Sequence, residues 1–381
     1  MGCRVATLGE LSLDNGKYGI AASAVDFDAK LPEYLRITDI NDDGTLNQLD
    51  RKSVDDANAC EYMLSEGDIV FARTGNSTGR NYYYDPRDGE FAFAGFLIKF
   101  SLDNSKVNPR FVKYYAQSKP YWNWVASFNS GSTRGNINAK TYAQMPVPLP
   151  ERSVQDSIVA LCDSISDKIR VNTKLNGYLE ELADSLFKRR FGELPDNASL
   201  SDVADITMGQ SPAGSSYNED GVGTVFYQGR AEFGWRYPSQ RLSTTEPKRM
   251  ARRGDVLMSV RAPVGDLNIA FEDCCIGRGL AAIHSEHPSF CLYLMRSLHS
   301  KLDAFNGEGT VFGSINGRAL KSLPIALPET RDIQTFEKEV SPIDALIRDN
   351  ELQSRLLATL RDTLLPRLIS GEIDVSRTVL I

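Results

Sequence analysis

Residues 136–151, NINAKTYAQMPVPLPE, and residues 314–329, SINGRALKSLPIALPE, align without a gap at an offset of 178, with six identities in sixteen positions. Each leads into a long stretch with helical spacing. Upstream, Gly67-Asp68-Ile69-Val70 before ARTGNSTGR matches Gly254-Asp255-Val256-Leu257 before SVRAPVGD at an offset of 187. Two sets of matches at nearly equal offsets make the chain a duplication with insertions and deletions. A repeat of that kind organises the fold before any element is assigned.

Each copy begins with short β-rich runs broken by Gly, Asn, Asp and Pro: DIVFAR and FAFAGFLIKF in the first, TVFYQG and DVLMSV in the second. A proline-rich strap follows (MPVPLPE, LPIALPE), and it is expected to stop regular structure, because proline fixes φ and lacks an N–H. Beyond the strap, Ile158, Leu161, Ile165, Lys168, Asn172, Leu175, Leu179, Leu182 and Leu186 are spaced three or four apart, as are Ile343, Leu346, Asn350, Gln353, Leu357, Leu360 and Leu364. That is the a/d spacing of a coiled coil. Asn172 and Asn350 occupy the same a position, 178 apart. A lone polar residue there fixes register, so the two helices are expected to pair; the alternative is that each packs only on its own globular domain. The boundaries are a recognition domain at 1–151, a helix at 152–196, a second domain at 197–329 and a second helix at 330–381.

The composition, 41% apolar and 24% charged over 381 residues, is that of a folded globular protein of two or three domains. The start, MGCRVATLGELSLDNGKYG, lacks the basic flank and apolar run of a signal peptide, and no window suits a membrane span, so a cytoplasmic location is expected. The six cysteines form no C-x-x-C pair and are expected to be reduced. His284, His287 and Cys291 near Cys274 and Cys275 carry zinc-binding chemistry but not the spacing of a known finger, and no metal is expected. A net charge of −7 excludes a protein that coats nucleic acid on bulk charge.

The ordered set of domain, strap, helix, domain, strap, helix resembles the specificity subunit of Type I restriction-modification systems over essentially the whole chain. MPVPLPERSVQ, LPIALPETRDIQ and LRDTLLPRLISGEIDV resemble that family's conserved regions. MGQSP at 208–212, GDVLMSVRAPVGD at 254–266 and CIGRGLAAI at 275–283 resemble one class of its target recognition domain, with GDIVFARTGNSTGR and GSTRGNIN as looser counterparts. The resemblance implies an α+β fold: two globular target recognition domains of mixed α/β structure, separated by two long antiparallel coiled-coil helices with a pseudo-two-fold duplication. It implies a non-catalytic subunit whose domains each bind one half of an asymmetric bipartite site in double-stranded DNA. It further implies that the helices set the spacer and dock two modification subunits, which methylate adenine with S-adenosylmethionine. Restriction (motor-nuclease) subunits using ATP and Mg would join the full complex.

The residues agree with a chain that binds no cofactor itself. There is no G-x-x-x-x-G-K-[ST] phosphate loop, and no Asn-Pro-Pro-aromatic or Asp-Pro-Pro-Tyr tetrapeptide of the kind that holds a flipped adenine. No Ser/His/Asp grouping stands out.

Residues 1–151 hold 16 basic and 19 acidic side chains, and residues 197–329 hold 13 and 14, so any DNA-binding charge must be local. Arginine bridges guanine O6 and N7, Asn or Gln bridges adenine, and bare backbone amides hold phosphates. Glycine-flanked residues of these types are the candidates: Arg73, Thr74, Asn76, Ser77, Thr78, Arg80, Asn81, Arg134 and Asn136 in the first copy. In the second they are Gln210, Ser211, Gln228, Arg230, Lys248, Arg249, Arg252, Arg253, Arg261, Arg278, Thr310 and Ser314. A non-reading adaptor that pairs two enzymes through its helices is the alternative, with an independent enzyme a more distant third.

Overall fold

The structure is a computed structural model in which residues 4–47, 50–128, 135–307 and 313–373 are described. Two compact units divide the chain, one made of residues 1–171 and 353–381 and the other of 172–352.

In the first unit, strand Asp68–Ala72 lies inside a four-stranded antiparallel sheet, in the order Lys17–Tyr18, Leu97–Ser101, Asp68–Ala72, Asn81–Tyr83. All five of its residues are buried, because both faces are covered. Ile69 and Phe71 face a core with helices Pro109–Tyr115 and Lys119–Ala126, whereas Val70 and Ala72 face Leu35, Phe91 and Phe93 of a second sheet. In that second sheet Glu33–Leu35 runs parallel to Phe91–Phe93. The second unit repeats the plan. Val256–Ser259 sits between Leu280–His284 and Leu267–Ile269, with Asp205–Met208 beyond, and Thr224–Tyr227 runs parallel to Cys274–Ile276.

The strap differs from the sequence expectation. Pro146–Leu149 is a strand, paired antiparallel with Arg4–Thr7, and Pro324–Ile325 pairs with Ala198–Ser199 in the same way. Pro146, Pro148 and Pro150 fall at every second residue, so Val147 and Leu149 keep the N–H groups that one side of an edge strand needs. Just before each strap, an identical Ile-Asn pair has a fixed task. Ile137 and Ile315 are buried, and the Asn138 and Asn316 side chains accept from the Thr141 and Ala319 N–H at 2.9 and 3.0 Å, capping short helices.

The long helices are Arg152–Phe191 and Thr330–Ile369. In the second unit the segments 172–191 and 330–352 run antiparallel. Asn172 Nδ2 donates to the Asn350 carbonyl at 3.3 Å, Asn176 Nδ2 to the Ile347 carbonyl at 3.2 Å, and the Phe187 and Phe336 rings lie 5.6 Å apart. Asn350 Nδ2 also donates to Asn176 Oδ1 at 2.9 Å. In the first unit Ile158, Val159 and Cys162 share a core with Leu365, Leu368 and Ile369. The helices therefore pair as expected, and each segment also packs on a globular domain, so the reading in which each packs only on its own domain does not hold.

That shared packing corrects the seam. Ile158, Ile165, Asn172 and Asn350 are buried as expected, but the rest of the buried face lies one residue later, at Cys162, Asn176, Ala183, Phe187, Ile347 and Leu365. Leu161, Leu179, Leu186, Ile343, Leu357 and Leu364 are half-buried. Leu175, Leu182, Leu346 and Leu360 are 39–49% exposed. A strict 3.5-residue repeat assumes that the other helix is the only neighbour, whereas a straight helix drifts about 20° per heptad from it. Here a domain takes up that drift.

Candidate nucleic-acid interface

Strands from both larger sheets of the second unit bring candidate residues to one common end. Asp205–Met208 leads to Gln210 and Ser211, and Val256–Ser259 leads to Arg261. Thr224–Tyr227 leads to Gln228, and Cys274–Ile276 leads through Gly277 to Arg278. Backbone bonds knit these turns together. Gln210 N–H donates to the Ile276 carbonyl at 2.9 Å, Val260 N–H to the Gly279 carbonyl at 2.9 Å and Arg278 N–H to Ser211 Oγ at 3.3 Å. Ser314 joins by a bridge to Arg261. The glycine of MGQSP has a defined reason: a Cβ at Gly209 would lie 2.2 Å from the Gly277 carbonyl oxygen.

Lys248 and Arg249 reach the same end, since the Arg249 carbonyl accepts from Ile276 N–H at 2.9 Å. Both are exposed, as are Gln210, Gln228, Arg261, Arg278 and Ser314. No ion pair among the described residues joins Lys248, Arg249, Arg261 or Arg278. Arg230 is exposed there too but is held by Asp266 at 2.9 Å. Arg252 and Arg253 are not part of this group. They precede Val256–Ser259 at the opposite end of the sheet, where Arg252 meets His284 Nε2 at 3.2 Å and His284 Nδ1 meets Asp255 at 2.6 Å.

The first unit builds the same end with different side chains. Ile137 N–H donates to the Arg73 carbonyl as Ile315 N–H does to Val260, at 2.9 and 3.1 Å, and Thr74 bridges to Asn136 as Arg261 does to Ser314. Thr78 Oγ1 donates to the Gly75 and Gly135 carbonyls at 2.8 and 2.9 Å, so it shapes the loop, and Asn76 and Asn136 are exposed beside it. Three candidates have structural duties. Asn81 is 1% exposed and its Nδ2 donates to the Ala116 carbonyl at 2.7 Å, so it is unavailable to a ligand. Ser77 is buried, and Arg80 ties Asp42 at 2.7 Å and the Ile40 carbonyl at 3.2 Å. Arg134 and Thr310 lie outside the described residues.

Two aromatic residues at this end were not anticipated. The Arg73 guanidinium lies 5.0 Å from the centroid of the Tyr18 ring, and Tyr18 lines a concavity of about 660 Å3 with Asn15, Asn138, Lys140 and Gln144. Phe96, 59% exposed, sits in the turn whose carbonyl accepts from Arg73 N–H at 3.0 Å. No local signal marks Tyr18, which is brought here by pairing with Ile98, and Phe96 is hidden inside a run that reads as core.

Residues 7–181 match the family described as the Type I restriction modification DNA specificity domain. A Methanocaldococcus jannaschii protein assigned as the MjaX type I restriction enzyme specificity subunit is 29% identical over 345 residues, covering 83% of this chain and 80% of the relative. Over most of its length the chain is similar to the Type I specificity subunits. The HindI specificity subunit of Haemophilus influenzae is 20% identical, over 81% of this chain and 87% of its own. The crystal structure of the Type I restriction-modification S subunit from M. genitalium has the same fold, with a TM-score of 0.57 at 14% identity, covering 97% of this chain and 96% of that one. The family match covers the first copy, and the repeated hydrogen bonds extend its architecture to the second. No helix among the described residues is long and apolar enough to cross a membrane.

Proposed function

We propose that this chain is the reading and assembly subunit of a Type I restriction-modification complex, with no turnover of its own. Each sheet end described above reads one half of an asymmetric bipartite site in double-stranded DNA. The carrying observation is that equivalent turns in the two copies present different exposed polar and cationic side chains on the same backbone frame. One frame with two lettering sets gives two unlike half-sites, which favours reading over a mere adaptor.

The helices supply the rest. Tyr178 and Leu182 on the first helix, and their repeat-mates Leu356 and Leu360 on the second, are 48–61% exposed. One such apolar stripe per unit suits two copies of one partner, the adenine-methylating modification subunit, which brings S-adenosylmethionine. Restriction subunits bring ATP and Mg. The continuous helices set the unread spacer, and at 1.5 Å per residue one heptad added to each lengthens the preferred spacer by about three base pairs.

Methylome sequencing of cells carrying this chain and its modification partner tests the proposal, with a strain lacking the chain as control. A bipartite adenine-methylated sequence is expected. Exchanging 197–329 for the same domain of a relative should change one half of it. Alteration of both halves would overturn independent reading by the two domains, and methylation that needs this chain but follows no sequence would leave only the adaptor reading. A cytoplasmic location follows from these partners.

A further inference from the structure

The two copies share one turn whose side chains differ in chemical kind. In the first copy the turn is Ala94-Gly95-Phe96-Leu97, and in the second it is Gly277-Arg278-Gly279-Leu280. Their equivalence rests on a set of matched bonds. Ala94 N–H donates to the Leu35 carbonyl at 3.0 Å, as Gly277 N–H does to Tyr227 at 2.8 Å. Leu97 N–H closes on the Ala94 carbonyl at 2.8 Å, as Leu280 closes on Gly277 at 3.0 Å. Gly19 N–H donates to Leu97 at 3.2 Å, as Gly209 does to Leu280 at 2.9 Å. Each turn thus projects one large side chain from a glycine-relieved backbone, Phe96 from the third position of its turn and Arg278 from the second, with glycine at the matching place in the other copy, and both are exposed at the reading end.

From this we infer that Phe96 is a specificity-determining residue that contacts the 5-methyl group of a thymine in the first domain's half-site, while Arg278 takes a guanine in the second. The inference rests on the DNA-reading function proposed above and adds the base chemistry to it. A phenyl ring offers no hydrogen bond, and thymine is the base that presents an apolar group in the major groove; a guanidinium matches the O6 and N7 acceptors of guanine. Phe96 lies outside every buried cluster of the first unit, so folding does not account for an aromatic residue there. Its neighbours Arg73 and Tyr18 supply phosphate and edge contacts around it.

The test uses the chain reconstituted with its modification subunits, on duplexes carrying the sequence that wild-type cells methylate. Each thymine of one half-site is replaced singly by uracil, which deletes the methyl group alone. One replacement should weaken binding about threefold to fivefold for the wild-type complex, the value of one buried methyl group. The same replacement should have no effect on the Phe96→Ala complex, while Phe96→Leu keeps most of it. Replacing one guanine of the other half-site by 7-deazaguanine should cost the wild-type complex about fivefold or more, and the Arg278→Ala complex nothing. Overturning results are uracil substitution that is silent throughout, uracil sensitivity that persists in Phe96→Ala, or effects of both variants in a single half-site. Failure of the underlying function is distinct: the wild-type complex would then show no preferred sequence at all.

Discussion

Replacing Arg236 by Met should loosen the second unit by about 3 kcal/mol, the lower end of the range for breaking a buried ion pair. Arg236 is 3% exposed and meets Glu180 of the first helix at 3.1 Å, Asp344 of the second helix, and the Tyr293 hydroxyl at 3.4 Å. Burial opposes its charge, yet the Asp344 and Tyr293 oxygens outweigh that and hold the guanidinium above its ordinary range. Methionine keeps much of the apolar stem and removes the cation. Two carboxylates then face a dry site, although Glu180 retains Arg296 at 3.1 Å and Asp344 retains the Tyr293 hydroxyl at 3.0 Å. For a unit of this size the loss corresponds to a fall of about 6–12 °C in its melting temperature. Urea unfolding of the full chain, followed by near-ultraviolet dichroism, measures it. The triple variant Arg236→Met, Glu180→Gln, Asp344→Asn should recover most of the loss, because deleting all the charges of a buried cluster is close to neutral. A single variant within about 1 kcal/mol of wild type, or a triple variant no better than the single one, would refute the reasoning.

Arg261→Ala and Arg278→Ala should each lower discrimination at one position of one half-site by about 1–3 kcal/mol, read by competition with single-base variants; a loss that is equal on all sequences, with a shallower salt slope, would assign the residue to phosphate instead. Asp85, desolvated but bonded to Arg87 and beside Arg170, has its carboxyl held down to about 2 from 3.8. Its contribution is present above about pH 4 and lost as pH falls toward about 2, so wild type and Asp85→Asn should converge in stability over that range; screened by solvent, the gap closed is about 1 kcal/mol. Burial pushes the thiols of Cys162, Cys274 and Cys291 up to about 12, so iodoacetamide at neutral pH should label Cys60 in the folded chain and spare those three, as peptide mass spectrometry will read.

The duplication was legible because it rests on residues with local duties: an Asn that caps, an Ile that fills the core before it, prolines on an edge strand. Asn172 and Asn350 were legible as register marks for a similar reason, since a buried amide needs a partner and each has one. The phase of the helix seam was not. Leu175, Leu182, Leu346 and Leu360 satisfy a heptad, but a globular domain competes with the second helix for the same surface and rotates the buried face by one residue. Sequence reasoning placed Arg261 and Arg278 on exposed turns, where glycine spacing marks them. It failed where distance along the chain hid a tertiary partner: Asn81 is turned inward to Ala116, Arg80 is spent on Asp42, and PKRMARR is split by its own strand, with Lys248 and Arg249 at the reading end and Arg252 and Arg253 at the other.

That split explains how a chain of net charge −7 reads a polyanion. Five arginines beside the long helices are committed: Arg170 to Asp85 and Asp88, Arg110 to Asp163, Arg190 to Glu339, Arg236 and Arg296 to Glu180. Each of these joins a globular domain to a helix of its unit or, at Arg190, one helix to the other. Among the described residues, Lys248, Arg249, Arg261 and Arg278 at the corresponding end of the second unit make no ion pair. Four cations free of ion pairs therefore stand together at the end proposed to meet DNA. Since phosphate neutralisation supplies most nonspecific affinity, the isolated chain should bind random DNA weakly and with a shallow salt dependence, and the steep dependence should appear only when the modification subunits add their own basic surface. Under the proposed function, such a division would keep the chain from settling on unrelated sequence until the modification subunits are attached.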